Sequence, residues 1–170
     1  KLKHFLEFYG IWIGNQSLFQ TIKTNNSQIC FHDLDSKQFQ FIKNKIVKIG
    51  LLEMIDFEIS NSIDSNKFNI TIINSRWNST ICSCNSNSFE IQNYTTNSWL
   101  PDWIFDLNKN QIRFMINGIR YGCKNSRRSN KITVSSYHLR DALTQILIMA
   151  GFTTNFKSEF RFDTKEQINQ

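Results

Sequence analysis

The chain has 170 residues, 40% of them hydrophobic with 15 phenylalanines, and it carries a formal net charge of +6 and a pI near 9.2. This length and apolar content suffice for one compact unit with a sizeable core. No apolar run approaches the roughly 18 residues that cross a membrane, and no signal-peptide pattern opens the chain, so we expect an intracellular protein with no membrane partner. The basic charge is compatible with nucleic acid but does not demonstrate it.

The first half opens with an apolar run, residues 8–15, that predicts a helix. Residues 17–24 and 28–31 alternate apolar and polar side chains around a polar turn, which predicts a hairpin. An amphipathic helix is expected from Asp35 to Gly50, and we interpret its exposed lysines as a solvated surface (Lys43, Lys45 and Lys48). Strands are then expected at 55–61 and 68–73, followed at 74–98 by a helix or partly irregular connection.

The second half follows a boundary segment, residues 98–107, which contains the only proline of the chain, Pro101. Asp106 and Asn108 resemble the start of a helix that runs into the apolar segment 116–123. A second amphipathic helix is expected from 136 to 151. The stretch between these two helices is shorter than its equivalent in the first half, so the sequence predicts a clipped hairpin there.

The glycines indicate an internal duplication, because all six fall into two matching triplets: Gly10, Gly14 and Gly50, then Gly118, Gly122 and Gly151. Two glycines four residues apart lie on one face of a helix and allow a close approach of two backbones. The glycine pairs therefore predict two central helices packed against each other. The alternative is that Gly14 and Gly122 are C-terminal helix caps.

These features resemble the LAGLIDADG homing endonucleases, and among them the intein-embedded type. The resemblance rests on the two glycine motifs, on 98–107 as a linker, and on 132–150 as a strand and its following helix. It implies an α+β fold of two pseudo-symmetric αββαββα repeats in one monomeric chain, with central motif helices over two curved antiparallel sheets. It divides the chain into a first repeat (1–97), a linker (98–107) and a second, shorter repeat (108–170).

The positions that carry catalysis in this family depart from its pattern. The resemblance implies an acidic residue at the end of each motif, where two carboxylates hold Mg²⁺ over the scissile phosphates, but these positions are Asn15 and Cys123. An amide brings no charge and a thiol suits softer metals. Glu7 does not substitute, since it lies about 12 Å away along the helix. We therefore expect no productively bound Mg²⁺, no other metal or cofactor, and no specific nuclease activity.

The resemblance also implies a DNA-binding saddle, to which we assign the basic residues of the strand segments and of the loop after the second motif: Lys23, Lys124, Arg127, Arg128, Lys131, Lys157 and Arg161. Such side chains contact mainly phosphates, which gives salt-sensitive binding without sequence readout. The alternative is an ordinary basic loop on a basic protein.

The four cysteines do not form a zinc pattern, because Cys82 and Cys84 make C-x-C while Cys30, Cys123 and the three histidines are scattered. We expect reduced thiols in a cytoplasmic or nuclear setting. The chain starts at Lys1 and ends at Gln170 without the residues that perform splicing, so we expect a flanking intein splicing domain and a host protein as partners.

The function expected from the sequence is therefore a degenerate intein-associated LAGLIDADG domain. It would not cleave DNA and would keep at most residual binding to double-stranded DNA. Two alternatives stay open at this point. One is a still-active metal-dependent endonuclease that uses the Asn15 amide oxygen and backbone carbonyls; the other is a non-catalytic RNA-binding protein of the maturase kind on the same scaffold.

Overall fold

The fold is α+β, as expected. The computed structural model describes residues 1–14, 29–62, 66–78, 100–123, 131–132, 134, 137–155 and 157. Within these residues the helices are α1 (Leu2–Gly14), α2 (Ser36–Ile49), α3 (Lys109–Gly122) and α4 (Tyr137–Met149), together with a short 3₁₀ helix (Asp102–Ile104). The strands are β1 (Ile29–Leu34), β2 (Phe57–Asn61) and β3 (Phe68–Ile72).

The three strands form one antiparallel sheet in the order β1-β3-β2. In the central row Ile70 pairs with Phe31 on one side and with Ile59 on the other, and its side chain is fully buried. The opposite face carries more polar side chains, since Thr71 lies between Cys30 and Glu58. The described residues thus contain one sheet. The two-sheet, two-repeat arrangement stays a prediction.

The two helices α2 and α3 begin with the same capping arrangement. The Asp35 carboxylate accepts a hydrogen bond from the Gln38 backbone N–H at 2.8 Å, and the Gln38 side chain accepts one from the Asp35 backbone. Asn108 and Gln111 make the same reciprocal pair at the start of α3. Each box satisfies two backbone N–H groups that a helix start otherwise leaves unpaired. The predicted starts of both helices are confirmed.

The core surrounds α1, which is apolar on nearly all sides. From Leu6 to Ile13 every residue of this helix is buried. The Phe8 ring lies 5.7 Å from that of Phe31 in β1, and the Tyr9 ring lies 5.4 Å from that of Trp103 in the 3₁₀ helix. A helix that is hydrophobic all round is buried in the interior, and here the sheet, the outer helix α2 and the boundary segment cover it.

Asn78 joins the ends of two strands from inside the protein. Its side-chain amide donates to the Ile72 carbonyl at 2.7 Å, while its amide oxygen accepts from the Ile29 backbone N–H at 3.1 Å. The side chain is only 4% exposed, so both backbone groups would lack water without it. The residues around it, 75–78, form a helical turn, and the remainder of the connection expected at 74–98 lies outside the described residues.

A second polar anchor holds the turn before β2. The backbone N–H of Leu52 donates to Asp56 Oδ2 at 2.8 Å, and the Asn74 side-chain amide donates to Asp56 Oδ1 at 2.6 Å. These two bonds, the first above all, lower the pKa of the Asp56 carboxyl from its ordinary value. Within the same turn Met54 has a φ of 68°, a left-handed conformation that side-chain-bearing residues rarely adopt.

The hairpin predicted from 17–24 and 28–31 falls mostly on residues that the structure does not describe, although β1 does begin at Ile29. The clipped hairpin of the second half falls outside the described residues as well. Strands predicted at 55–61 and 68–73 and helices at 35–50 and 136–151 are confirmed. None of the described helices is long and apolar enough to span a bilayer.

Candidate functional site

The two central helices, α1 and α3, cross with their backbones in contact at glycine. A Cβ atom placed on Gly10 would overlap the Met115 carbonyl oxygen, and one placed on Gly118 would overlap the Glu7 carbonyl oxygen. Neither oxygen belongs to a side chain that could rotate away. Only glycine therefore permits this approach of the two backbones.

The crossing is reciprocal in its details. The Cβ position of Gly10 lies 2.9 Å from the Ile119 nitrogen, and that of Gly118 lies 2.9 Å from the Ile11 nitrogen. The partners are related by one constant spacing in the chain, since 118 − 10 and 119 − 11 both equal 108. Each helix thus presents the same groups to the other, which is the arrangement that a local two-fold axis produces.

The helices run in the same direction. The Cβ position of Gly10 meets the Met115 carbonyl, and that of Gly14, one turn later, meets the Ile119 carbonyl, also one turn later. The C-terminal ends of α1 and α3 therefore lie at the same end of the pair. Gly14 owes its identity to this contact, and α3 is capped by Cys123 rather than by Gly122. The alternative of two glycine caps at Gly14 and Gly122 is wrong.

Glycine caps do end the two outer helices, α2 and α4. Gly50 and Gly151 adopt left-handed φ values of 112° and 82°. Beside each of them lies a lysine from the start of a central helix: Lys1 Nζ is 3.8 Å from the Cβ position of Gly50, and Lys109 Nζ is 3.0 Å from that of Gly151. Each lysine thus places its charge near the terminal carbonyls of an outer helix, where a cation is favourable.

A buried ion pair ties α2 to α1. Lys45 Nζ lies 2.5 Å from Glu7 Oε2, and the two side chains are only 14% and 10% exposed. The His4 Nδ1 atom lies 3.5 Å from the same carboxylate oxygen. The interpretation of Lys45 as a solvated lysine is therefore wrong: the helix face of Phe39 and Ile42 leaves Lys45 at the border of the buried surface, where it reaches a carboxylate of α1.

Of the two positions expected to have lost catalytic acids, the structure describes only the second, Cys123. Asn15 lies outside the described residues. Cys123 caps α3 with an extended conformation, is half-buried, and packs against the apolar core. Its thiol is a soft donor, and the described residues contain no group of three His, Cys, Asp or Glu side chains that could hold a metal. This donor set does not fit Mg²⁺.

The cations assigned to a DNA saddle are spread over both described and undescribed residues. Lys131 and Lys157 are exposed, whereas Lys23, Lys124, Arg127, Arg128 and Arg161 lie outside the described residues. The described strands β1, β2 and β3 contain neither lysine nor arginine, and the polar face of their sheet carries Glu58. Phosphate contacts are therefore not expected from this face of the sheet.

Sequence reasoning missed Asn78 and Asp56 and misinterpreted Lys45. Asn78 and Lys45 bond to residues 49 and 38 positions away in the chain, which no local pattern reveals, whereas Asp56 combines a local bond to Leu52 with one to Asn74. Cys30 is a buried thiol in β1, in line with the expectation of reduced cysteines for this residue. No protein-family model, curated protein or solved structure gives a significant match to this chain.

Proposed function

We propose that this chain is a degenerate LAGLIDADG-type domain, built from two related halves, that does not cleave DNA and keeps at most weak, non-specific binding to double-stranded DNA. The observation that carries the proposal is the reciprocal crossing of α1 and α3 through Gly10 and Gly118. Glycines at matched positions in two helix interiors cost stability, about 1 kcal/mol each relative to alanine, unless a packing need retains them.

The duplicated architecture has further support from the outer helices. Each central helix is followed later in the chain by an outer helix, which contacts it and ends in a left-handed glycine. Lys1 and Lys109, at the starts of the central helices, approach these glycines in the same way. We infer that residues 108–170 repeat the plan of residues 1–97.

The absence of cleavage is inferred from the donors at the C-terminal end of the helix pair. In-line phosphodiester hydrolysis by two metal ions needs hard, anionic ligands that place both ions at the scissile phosphate. Asn15 supplies no charge, and Cys123 supplies a thiol that packs against the core. Neither residue can serve as a carboxylate does at this position.

Residual binding is proposed to rest on phosphate contacts by the basic segments of the chain that the resemblance assigns to DNA binding. Lys131 and Lys157 represent these segments among the described residues, and both are exposed. Contacts of this kind release counterions, so the logarithm of the affinity falls linearly with the logarithm of salt concentration, by about 0.9 per phosphate neutralised. The slope of this salt dependence therefore gives the number of phosphate contacts.

The direct test is titration of a long mixed-sequence DNA duplex with the protein over a salt series in Mg²⁺, with the strands examined for cleavage. Salt-dependent binding without cleavage supports the proposal. Metal-dependent cleavage would overturn it in favour of an active endonuclease. Preference for a structured RNA over a DNA duplex of equal length would favour the maturase-like alternative. If the protein bound neither nucleic acid, the proposed residual binding would be wrong, and the domain would be a folded insert without a binding function.

A second experiment asks whether only the acids have been lost. Asn15→Asp combined with Cys123→Asp restores two carboxylates at the motif ends, and Asn15→Ser with Cys123→Ser is the matched control. Metal-dependent nicking by the first variant and not by the second would support descent from a nuclease. Inactivity of both, with binding intact, would show that the geometry around the two positions has also changed.

A further inference from the structure

The ion pair between Glu7 and Lys45 lies in a place where charge is costly. Both side chains are nearly buried, and Lys45 also lies over the Phe41 ring, with its Nζ 4.7 Å from the ring centre. Taking two charges out of water carries a desolvation penalty that their mutual attraction often fails to recover. The burial of such an ion pair is therefore weak evidence that its role is to stabilise the fold.

In the second pair of helices, α3 and α4, the positions equivalent to Glu7 and Lys45 carry no charge. Glu7 precedes Gly10 by three residues, as Met115 precedes Gly118; Lys45 precedes Gly50 by five residues, as Ile146 precedes Gly151. Met115 and Ile146 are both fully buried. His4, which lies next to Glu7, corresponds in the same way to the fully buried Ile112. An apolar layer thus stands in one half where a polar cluster stands in the other.

We propose that the Glu7–Lys45 pair determines which outer helix docks on which central helix. The two halves present similar glycine-capped outer helices to similar central helices. Therefore α2, which already touches α3 through Phe41 and Tyr121, could in principle take the place of α4 on α3, and α4 that of α2 on α1.

Docking of α2 on α3 would bury Lys45 against Met115 without a counter-charge. Docking of α4 on α1 would bury Glu7 against Ile146. Both exchanges separate Glu7 from Lys45, leaving Lys45 without its carboxylate and Glu7 with only His4 close by in an apolar site, which is strongly unfavourable.

The competing state that this pair disfavours is a mispaired dimer, in which α2 of one chain takes the place of α4 on α3 of a second copy. Exchange of equivalent elements between copies is a low-cost route to dimers, and a chain with two similar halves offers more such routes than other chains. One buried polar or charged position is enough to specify pairing in other helical assemblies. The inference rests on the observed helix contacts and is independent of any binding to nucleic acid.

The test compares two double variants. Glu7→Gln with Lys45→Met removes both charges with little change in volume, so that no charge-based pairing preference remains. Glu7→Lys with Lys45→Glu reverses the pair and keeps its complementarity, and it is the matched control. Each protein is unfolded in denaturant, refolded over a range of protein concentrations, and analysed by size-exclusion chromatography with light scattering. Circular dichroism reports whether the helices have formed.

We expect the neutral variant to refold with native helix content but to give a dimer fraction about tenfold or more above that of the natural chain. The reversed pair should refold to the same monomer as the natural chain. A neutral variant that refolds to a uniform monomer at every concentration would overturn the proposal. So would a neutral variant that stays unfolded while the reversed pair folds, because the ion pair would then act in stability rather than in partner choice.

Discussion

The ring of Phe41 in α2 stacks on the ring of Tyr121 in α3, with centroids 3.7 Å apart and planes within 18° of parallel. This contact joins the outer helix of the first half to the central helix of the second. We expect a double-mutant cycle of Phe41→Leu and Tyr121→Leu to give a coupling free energy of about 0.5–1.5 kcal/mol by chemical denaturation.

The control for this cycle is Tyr121→Phe. It removes the hydroxyl that donates to the Lys37 carbonyl at 3.3 Å but keeps the ring. Coupling to Phe41 should survive in this variant. Loss of coupling on removal of the hydroxyl alone would assign the effect to the hydrogen bond and contradict the prediction.

The crossing of the central helices predicts a large effect of one methyl group. Gly118→Ala places a Cβ atom on the Glu7 carbonyl oxygen, and since this oxygen belongs to the backbone, the helices must separate. We expect the free energy of unfolding to fall by about 3 kcal/mol, the upper end of the usual range for overpacking. Asn117→Ala, an exposed position in the same helix, is the control. Equal stability of the two variants would be incompatible with the crossing described above.

Removal of the Asn78 side chain is expected to lower the free energy of unfolding, because two backbone groups lose their hydrogen-bond partner. Asn78→Ala leaves the Ile29 N–H and the Ile72 carbonyl buried without a partner. We expect a loss of about 2–4 kcal/mol in urea denaturation and faster amide exchange at Ile29. Asn61→Ala, an exposed amide in β2, should change the stability by less than about 0.5 kcal/mol. Unchanged exchange at Ile29 in Asn78→Ala would show that water replaces the amide.

The hydrogen bonds to the Asp56 carboxylate lead us to expect that the stability of the protein depends on pH. Because the pKa of its carboxyl is lowered in the folded protein, the carboxylate adds stability above the ordinary aspartate value, and this contribution is lost as the pH falls through the lower folded value. The stability advantage of the natural chain over Asp56→Asn should therefore shrink below about pH 4. Denaturation at several pH values measures it.

Asn74→Ala provides the graded comparison for Asp56. It removes the second donor to the carboxylate and leaves the Leu52 N–H, the larger cause of the lowered pKa. We expect this variant to keep part of the pH dependence. An advantage of the natural chain over Asp56→Asn that stayed constant through the acid range would mean that the carboxylate is not stabilised in the fold.

The features that the sequence predicted well are those encoded within one helix. The spacing of Gly10 and Gly14 indicated a glycine face, and Asp35 with Gly50 marked both ends of α2, because caps and helix periodicity depend on neighbours within a few residues. The glycine face also identified its partner, since Gly118 repeats the spacing in the second half. Contact between two glycine faces needs no further information.

The features that could not be predicted depend on partners far apart in the chain. In the sequence, Lys45 is indistinguishable from the surface lysines around it. Its role depends on the Glu7 carboxylate, which lies on a different helix, α1. Asn78 stands in a polar, asparagine-rich stretch in which no local signal separates it from its neighbours, and the strand ends that it joins are 43 residues apart, from Ile29 to Ile72. The order β1-β3-β2 likewise follows from long-range pairing that alternation within each strand leaves open.

The parallel course of α1 and α3 gives the protein an electrical polarity. In antiparallel neighbours the helix dipoles cancel, but here both negative ends lie together beyond Gly14 and Gly122, with a combined partial charge of about one electron. A phosphodiester that approached this end would meet repulsion unless cations stood close by. Cys123 brings none, whereas Arg120 stands exposed in the last turn of α3. The field that an anion meets at this end is therefore set by the two helix dipoles against the charge of that side chain.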